Sequence, residues 1–215
     1  MYVPAHFAMT PEQTRTVLES GAAGDLVTVG ADGPVATYLP MLFDPGAGGS
    51  GSLIGHVSRV NDQWKDPATA LFILHGPDDF IEAEWLNTPG STNVPTWNYV
   101  TVHVYGRLVV HDDPEWMLAA VRRLSAAHGD SSVDDMGAEE VGRLLRAIVG
   151  VELEITRVDG KAKMSQNKTP AAIGQVIDGL RASGGEATAD WMAGHSLPRA
   201  QAKSELLAGI RDRRA

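Results

Sequence analysis

The sequence predicts a mainly β protein: an antiparallel, barrel-like sheet with helices added toward its C-terminal end. Three observations lead there. Short apolar runs follow one another closely through the first hundred residues, with too little helix between them for parallel crossovers. Gly- and Asp-rich punctuation, GADGP and DPGAGGSGS, separates those runs and suits hairpin loops. From residue 113 the hydrophobic period lengthens from two to that of a helix.

Taken in order, TPEQTRTVLES opens a helix, with Thr10 as N-cap, Pro11 at the first helical position and Gln13 as capping-box partner; Gly21 or Gly24 ends it. The strand runs DLVTVG, PVATYLPMLFD, GSLIGHV and ALFILHG follow. HGPDDFIEAEW, with Asp78, Asp79, Glu82 and Glu84, reads as a solvated loop. The longest strand is PTWNYVTVHVYGRLVV, residues 95 to 110. Its even side, Val100, Val102, Val104, Gly106, Leu108 and Val110, is a core face. Its odd side, Trp97, Tyr99, Thr101, His103, Tyr105 and Arg107, is aromatic and hydrogen-bonding together. Such a face suits a subunit interface or a flat aromatic ligand, and the strand alone does not choose.

DPEWMLAAVRRLSAAHG is a helix capped by Asp113, with Pro114 first and an apolar stripe of Met117, Leu118, Val121 and Leu124. GAEEVGRLLRAIVG reads as a second helix and VELEITRVDG as a strand. Thr169 and Pro170 open another helix, and the rest is helical in pattern but interrupted at Gly184, Gly185, Gly194 and Pro198.

At 215 residues, 43% hydrophobic and 21% charged, the composition is that of a soluble globular chain with room for a full core. No apolar run is long enough to span a bilayer, and the first residues lack a signal-peptide pattern, so a cytoplasmic location is expected. The absence of cysteine excludes disulfides and thiolate chemistry. A net charge of −9 argues against broad nucleic-acid binding, which needs many cations on phosphate. Any anionic ligand must find its cations gathered locally.

Two stretches gather them. In GHVSRVNDQW, His56, Ser58, Arg59 and Asn61 appear as a strand ends. The guanidinium fork and neutral donors suit phosphate oxygens, and a helix beginning near Asn61 would add backbone N–H groups. The plainer reading has Ser58 and Asn61 capping a helix and Arg59 in water. In KAKMSQNK, Lys161, Lys163, Ser165 and Asn167 share a parity. That reads either as a lysine-protected edge strand or as groups that hydrogen-bond a shaped ligand. The seven histidines show no HExxH spacing, the Gly-rich loop lacks P-loop spacing, and there is no GxSxG elbow, so no metal site is expected.

MYVPAHF, GHVSRVNDQW, HGPDDFIEAEW, VPTWNYVTVHVYGRL and KAKMSQNK, in this order and spacing, resemble the PaiB family, described as FMN-binding negative transcriptional regulators. The resemblance runs from residue 1 to about 180. It implies an antiparallel split β-barrel of the FMN-binding, pyridoxamine 5′-phosphate oxidase-like type, as residues 1–180 with inserted helices, followed by a C-terminal helical extension at 181–215. It also implies FMN as cofactor and a homodimer with flavin near the subunit interface. Carried over by position, His56, Ser58, Arg59 and Asn61 are phosphate candidates. Thr96, Trp97, Asn98, Lys163, Ser165 and Gln166 are candidates near the isoalloxazine. Where family members often carry YISPSWY, this chain has FIEAEWL, so nothing is carried over from Glu82, Glu84 or Leu86. The sequence shows no obvious general acid or base beyond Tyr99, His103 and Tyr105 on the odd side of the long strand. A flavin-dependent oxidoreductase, a flavin- or redox-linked regulator acting through partners, and a module for haem or another planar ligand are the functional readings. Direct DNA binding fits an acidic chain without a helix-turn-helix poorly.

Overall fold

The computed structural model describes residues 1–21, 23–46, 49–65, 69–86 and 94–213. The chain divides into two compact units. One comprises Met1, Thr10–His75 and Val102–Asp159; the other comprises Tyr2–Met9, Gly76–Thr101 and Gly160–Ala215. Seven strands form one antiparallel sheet: β1 (Ala23–Gly30), β2 (Gly33–Pro40), β3 (Leu42–Asp44), β4 (Ser52–Ser58), β5 (Thr69–Ile81), β6 (Thr96–His111) and β7 (Ile148–Lys163). Their order is β2-β1-β5-β6-β7-β4-β3, and β5, β6 and β7 contribute residues to both units.

In the first unit, α1 (Pro11–Glu19) begins as expected. Thr10 Oγ1 accepts from the Gln13 backbone N–H at 3.1 Å, and Gln13 Oε1 accepts from the Thr10 N–H at 2.9 Å, so two orphan donors are satisfied reciprocally. The β1–β2 hairpin pairs Gly30 with Gly33 and Ala23 with Pro40. β4 pairs with β7 from Ser52↔Glu154 to Ser58↔Ile148. Gly51, at the start of β4, has φ +81, and a Cβ there would meet the Asp44 carbonyl at 2.7 Å; only glycine closes this hairpin unstrained. Of the expected DPGAGGSGS loop, residues 47 and 48 lie outside the described residues. Leu26, Leu53, Phe72, Val104, Val149, Val151 and Leu153 are buried, joined by Met117 and Leu124 of α2 (Pro114–Ala127). Asp113 caps α2 through the Trp116 N–H, and Pro114 takes its first turn.

Three expectations are corrected. The helix expected over GAEEVGRLLRAIVG is α3 (Ala138–Leu145) alone, because Ile148 onward pairs with β4. The acidic stretch read as a loop is the second half of β5, which runs through Pro77 to the buried Ile81 before a 3-10 turn, Ala83–Leu86. β7 does not stop at Gly160 but continues to Lys163. On β6 the even side is buried from Asn98 through Leu108, as the alternation predicts.

In the second unit, Thr169 caps α4 (Pro170–Ser183) by accepting from the Ala172 N–H, and Gly184, at φ +90, ends it. Residue 180 lies inside this helix. A Cβ on Gly179 would fall 2.4 Å from the Trp85 ring, so the glycine lets the indole lie directly on α4. Gly185 separates α4 from α5 (Glu186–Trp191). Gly194 and Pro198 do not break the chain's helicity. A wider π-helical turn, Met192–Ser196, absorbs the glycine, and Pro198 sits in the first turn of α6 (Leu197–Asp212), where its missing N–H costs nothing. Met164, Ile173, Leu180 and Met192 are buried here. Among the described residues no helix is long and apolar enough to cross a membrane.

Candidate functional site

The second unit contains a polar cleft of about 170 Å³ lined by Phe7, Thr96, Asn98, Lys163, Ser165 and Lys168, among others. β6 supplies Thr96 and Asn98 at its start, β7 supplies Lys163 at its end, and a turn between β7 and α4 supplies Ser165. Asn98 is on the buried parity of β6, so an amide sits where the alternation would place an apolar side chain. It bonds the Ser165 hydroxyl at 3.1 Å and approaches Met192 Sδ at 3.4 Å. Ser165 has φ 60, the only positive φ outside glycine among the described residues. That conformation costs about 1–3 kcal/mol for an L side chain and persists only where the surroundings over-determine it. Here Lys168 N–H closes the turn on the Ser165 carbonyl at 2.9 Å, and the buried Asn98 pair fixes the hydroxyl.

Lys163 Nζ donates to Thr96 Oγ1 and to the Trp97 carbonyl. Both acceptors are uncharged, and an ammonium has three N–H groups, so one has no partner among the described residues. Burial, and then the charge of Lys161, hold its pKa below the ordinary lysine value. Lys161 itself lies 5.2 Å from the centre of the Tyr99 ring.

Two candidates of this group do something else. The Trp97 side chain is half exposed, donates Nε1–H to Asp78 Oδ1 at 2.9 Å and tilts against Phe80 with ring centres 6.0 Å apart; only its carbonyl reaches Lys163. Gln166 turns back on the chain, accepting from the Met164 N–H at 2.7 Å and donating to the Ala162 carbonyl at 2.6 Å, which leaves it as a staple of the turn. Asn167, which shares the parity of Lys163 and Ser165, also lines the cleft; Lys168 joins it from the opposite parity, because the chain reverses at Ser165, which nothing in the sequence shows.

His56, Ser58, Arg59 and Asn61 all lie in the first unit. Arg59 is engaged on every side: Nη1 meets Asp112 Oδ2 at 3.1 Å, Nη2 meets Asp112 Oδ1 and the Ile148 carbonyl, and Nε donates to the Arg146 carbonyl at 2.9 Å. The guanidinium in turn holds the Asp112 carboxyl below the usual carboxylate range. The expected helix near Asn61 is a single 3-10 turn, Asp62–Trp64, too short to carry a useful dipole. Asn61 closes it, accepting from the Gln63 N–H at 2.9 Å and donating to Thr37 Oγ1 at 2.8 Å. Ser58 is exposed, and burial lowers the pKa of His56. Among the described residues no cluster of three His, Asp or Glu could hold a metal ion.

A seven-stranded antiparallel split barrel with added helices is the class these elements define. The chain belongs to the family described as "Putative FMN-binding domain", whose model matches residues 1–157. It is 28% identical over 189 residues to the Bacillus subtilis protease synthase and sporulation protein PAI 2, covering 84% of this chain and 89% of that one. The PaiB resemblance carried by the sequence motifs is thereby confirmed. Among solved structures it resembles the flavocytochrome Anf3 from Azotobacter vinelandii, with TM-score 0.54, 13% identity and coverage of 75% and 72% of the two chains. A conserved hypothetical protein from Mycobacterium tuberculosis gives 0.52, 16%, 76% and 91%. At these identities the likeness is one of fold.

Proposed function

We propose that this protein binds FMN and that the polar cleft of the second unit receives one end of the flavin ring. The observation that carries this reading is Lys163, a partly desolvated cation held by neutral oxygens beside a strained Ser165. The cleft is smaller than the roughly 300 Å³ at which whole-cofactor sites begin, so it suits one end of the ligand and not all of it. The pyrimidine edge of a flavin offers carbonyl oxygens and ring nitrogens, and the remaining Lys163 N–H is suited to them. A bound flavin supplies electron or hydride transfer; the chain supplies orientation and charge. Thr96 and the Trp97 carbonyl fix the ammonium, while Asn98 and Ser165 fix the turn that presents it.

Trp97, half exposed at the start of β6, and the half-exposed Phe80 beside it support a homodimer through this aromatic pair. Any link to the control of gene expression runs through a protein partner or the state of the flavin. Arg15, Arg59, Arg107, Arg122, Arg123, Arg143, Arg157 and Arg181 each pair with a carboxylate, and the chain's net charge of −9 weighs against broad contact with phosphate backbones. The test is native mass spectrometry after FMN is added. A dimer holding one FMN per chain is expected, with a Trp97→Ser, Phe80→Ser variant shifted toward monomer. A chain that takes up no flavin under any loading condition refutes the reading.

A further inference from the structure

The first unit holds a second pocket, of about 270 Å³, that the flavin reading does not use. Its walls are Leu118 and Val121 of α2, Val133 and Met136 of the following connection, and Val141, Leu144 and Leu145 of α3, closed by Ala147 and Ile148. His56, on β4, is the one polar side chain among the lining residues. Several of the wall residues are only half buried, and Leu144 is 44% exposed, so α2 and α3 do not close over the space. The imidazole has no hydrogen bond or ion pair to any described residue, although burial is enough to depress its pKa. The ring is half buried and its nitrogens still reach solvent, so a ligand hydroxyl can bond one of them and gain a neutral hydrogen bond inside an otherwise apolar wall.

We infer that this pocket binds a small, neutral, largely apolar molecule carrying one hydroxyl group, of which an alkylphenol is the simplest representative, with the hydroxyl on His56. Size supports the class: an apolar cavity of about 150 Å³ holds one benzene ring, so this pocket has room for a ring and a short substituent. Chemistry supports it as well. A neutral imidazole has one donor and one acceptor, and a hydroxyl can answer either. A phosphate dianion does not fit, because the walls carry no cation to compensate its desolvation. The site therefore stands apart from the flavin proposal and from the phosphate role expected of His56.

The test uses 4-ethylphenol and ethylbenzene, which differ by the hydroxyl, titrated calorimetrically into the full chain. Saturable binding of both is expected, with 4-ethylphenol favoured by about fivefold, the value of one neutral hydrogen bond. His56→Leu removes that preference while ethylbenzene still binds. Val121→Trp, at a half-buried position on the pocket wall, blocks both ligands and serves even if the histidine variant fails to fold. Added FMN leaves 4-ethylphenol binding unchanged. Absence of saturable binding, binding that Val121→Trp leaves intact, or displacement of 4-ethylphenol by FMN overturns the inference.

Discussion

Arg59 and Lys163 are two cations that the sequence offers for the same kind of ligand, and the fold treats them differently. Arg59 is neutralised by a carboxylate from 53 positions away and tied to two backbone carbonyls. Lys163 is held as well, but by a hydroxyl and a carbonyl, with no carboxylate partner among the described residues. Burial weakens the lysine's hold on its proton, whereas Asp112 strengthens that of the arginine. The number of bonds a cation makes therefore says little about its use. What counts is whether its partners carry the opposite charge, since a neutral cradle positions a charge and an ionic one spends it.

The contrast can be pressed experimentally. Its largest consequence is Lys163→Met, which should weaken FMN binding roughly tenfold to a hundredfold, the range of a charge-assisted hydrogen bond, in a fluorescence-quenching titration. Wild-type affinity in that variant would remove the distinction between the two cations. Next is Asn98→Leu, which leaves the Ser165 hydroxyl buried and unpaired and should cost about 1–3 kcal/mol in urea unfolding, with FMN binding weakened as the turn loosens. Arg59→Ala should lower the thermal midpoint by a few degrees and change FMN affinity little. A strong loss of FMN in that variant would instead show that the guanidinium leaves Asp112 for a phosphate, as the sequence-based assignment holds.

The smallest effect concerns pH. A lysine with a folded-state pKa below its ordinary 10.5 binds its proton more weakly in the fold than in the unfolded chain. Its charge thus disfavours the fold at neutral pH, and that cost lifts as pH rises through the lowered value toward 10.5. FMN affinity should decline over the same window as the ammonium is lost. Burial is the larger cause of the shift and Lys161 the second, so Lys161→Gln should move the decline in FMN affinity to higher pH without abolishing it.

Much of the fold could be read along the chain because its signals are local. Thr10 with Gln13, Asp113 with Pro114, and Thr169 with Pro170 each announce a helix within four residues, and all three helices begin there. The misreadings come from places where long-range pairing overrides local character. Pro77 and the carboxylates around it look like a loop, yet the sheet carries them as strand. Ile148–Gly150 continue a helical pattern, yet β4 claims them. The site was legible only in part. Thr96, Asn98, Lys163 and Ser165 do assemble, but the inward turn of Gln166 depends on the left-handed Ser165, which no residue type announces. The Arg59–Asp112 pair depends on a tertiary approach that local sequence does not show.

β7 changes the phase of its burial along its length, with Val149, Val151, Leu153 and Ile155 buried on odd positions and Ala162, near its end, on an even one. Since neighbouring residues of a strand face opposite ways, the interval from Ile155 to Ala162 works as a counted spacer. Deleting a single residue within it would bring Ala162 into the phase of Ile155 and turn Ala162 and Lys163 to the opposite faces. The protein should accept many substitutions at the exposed Thr156 and Arg157, but no change of length there.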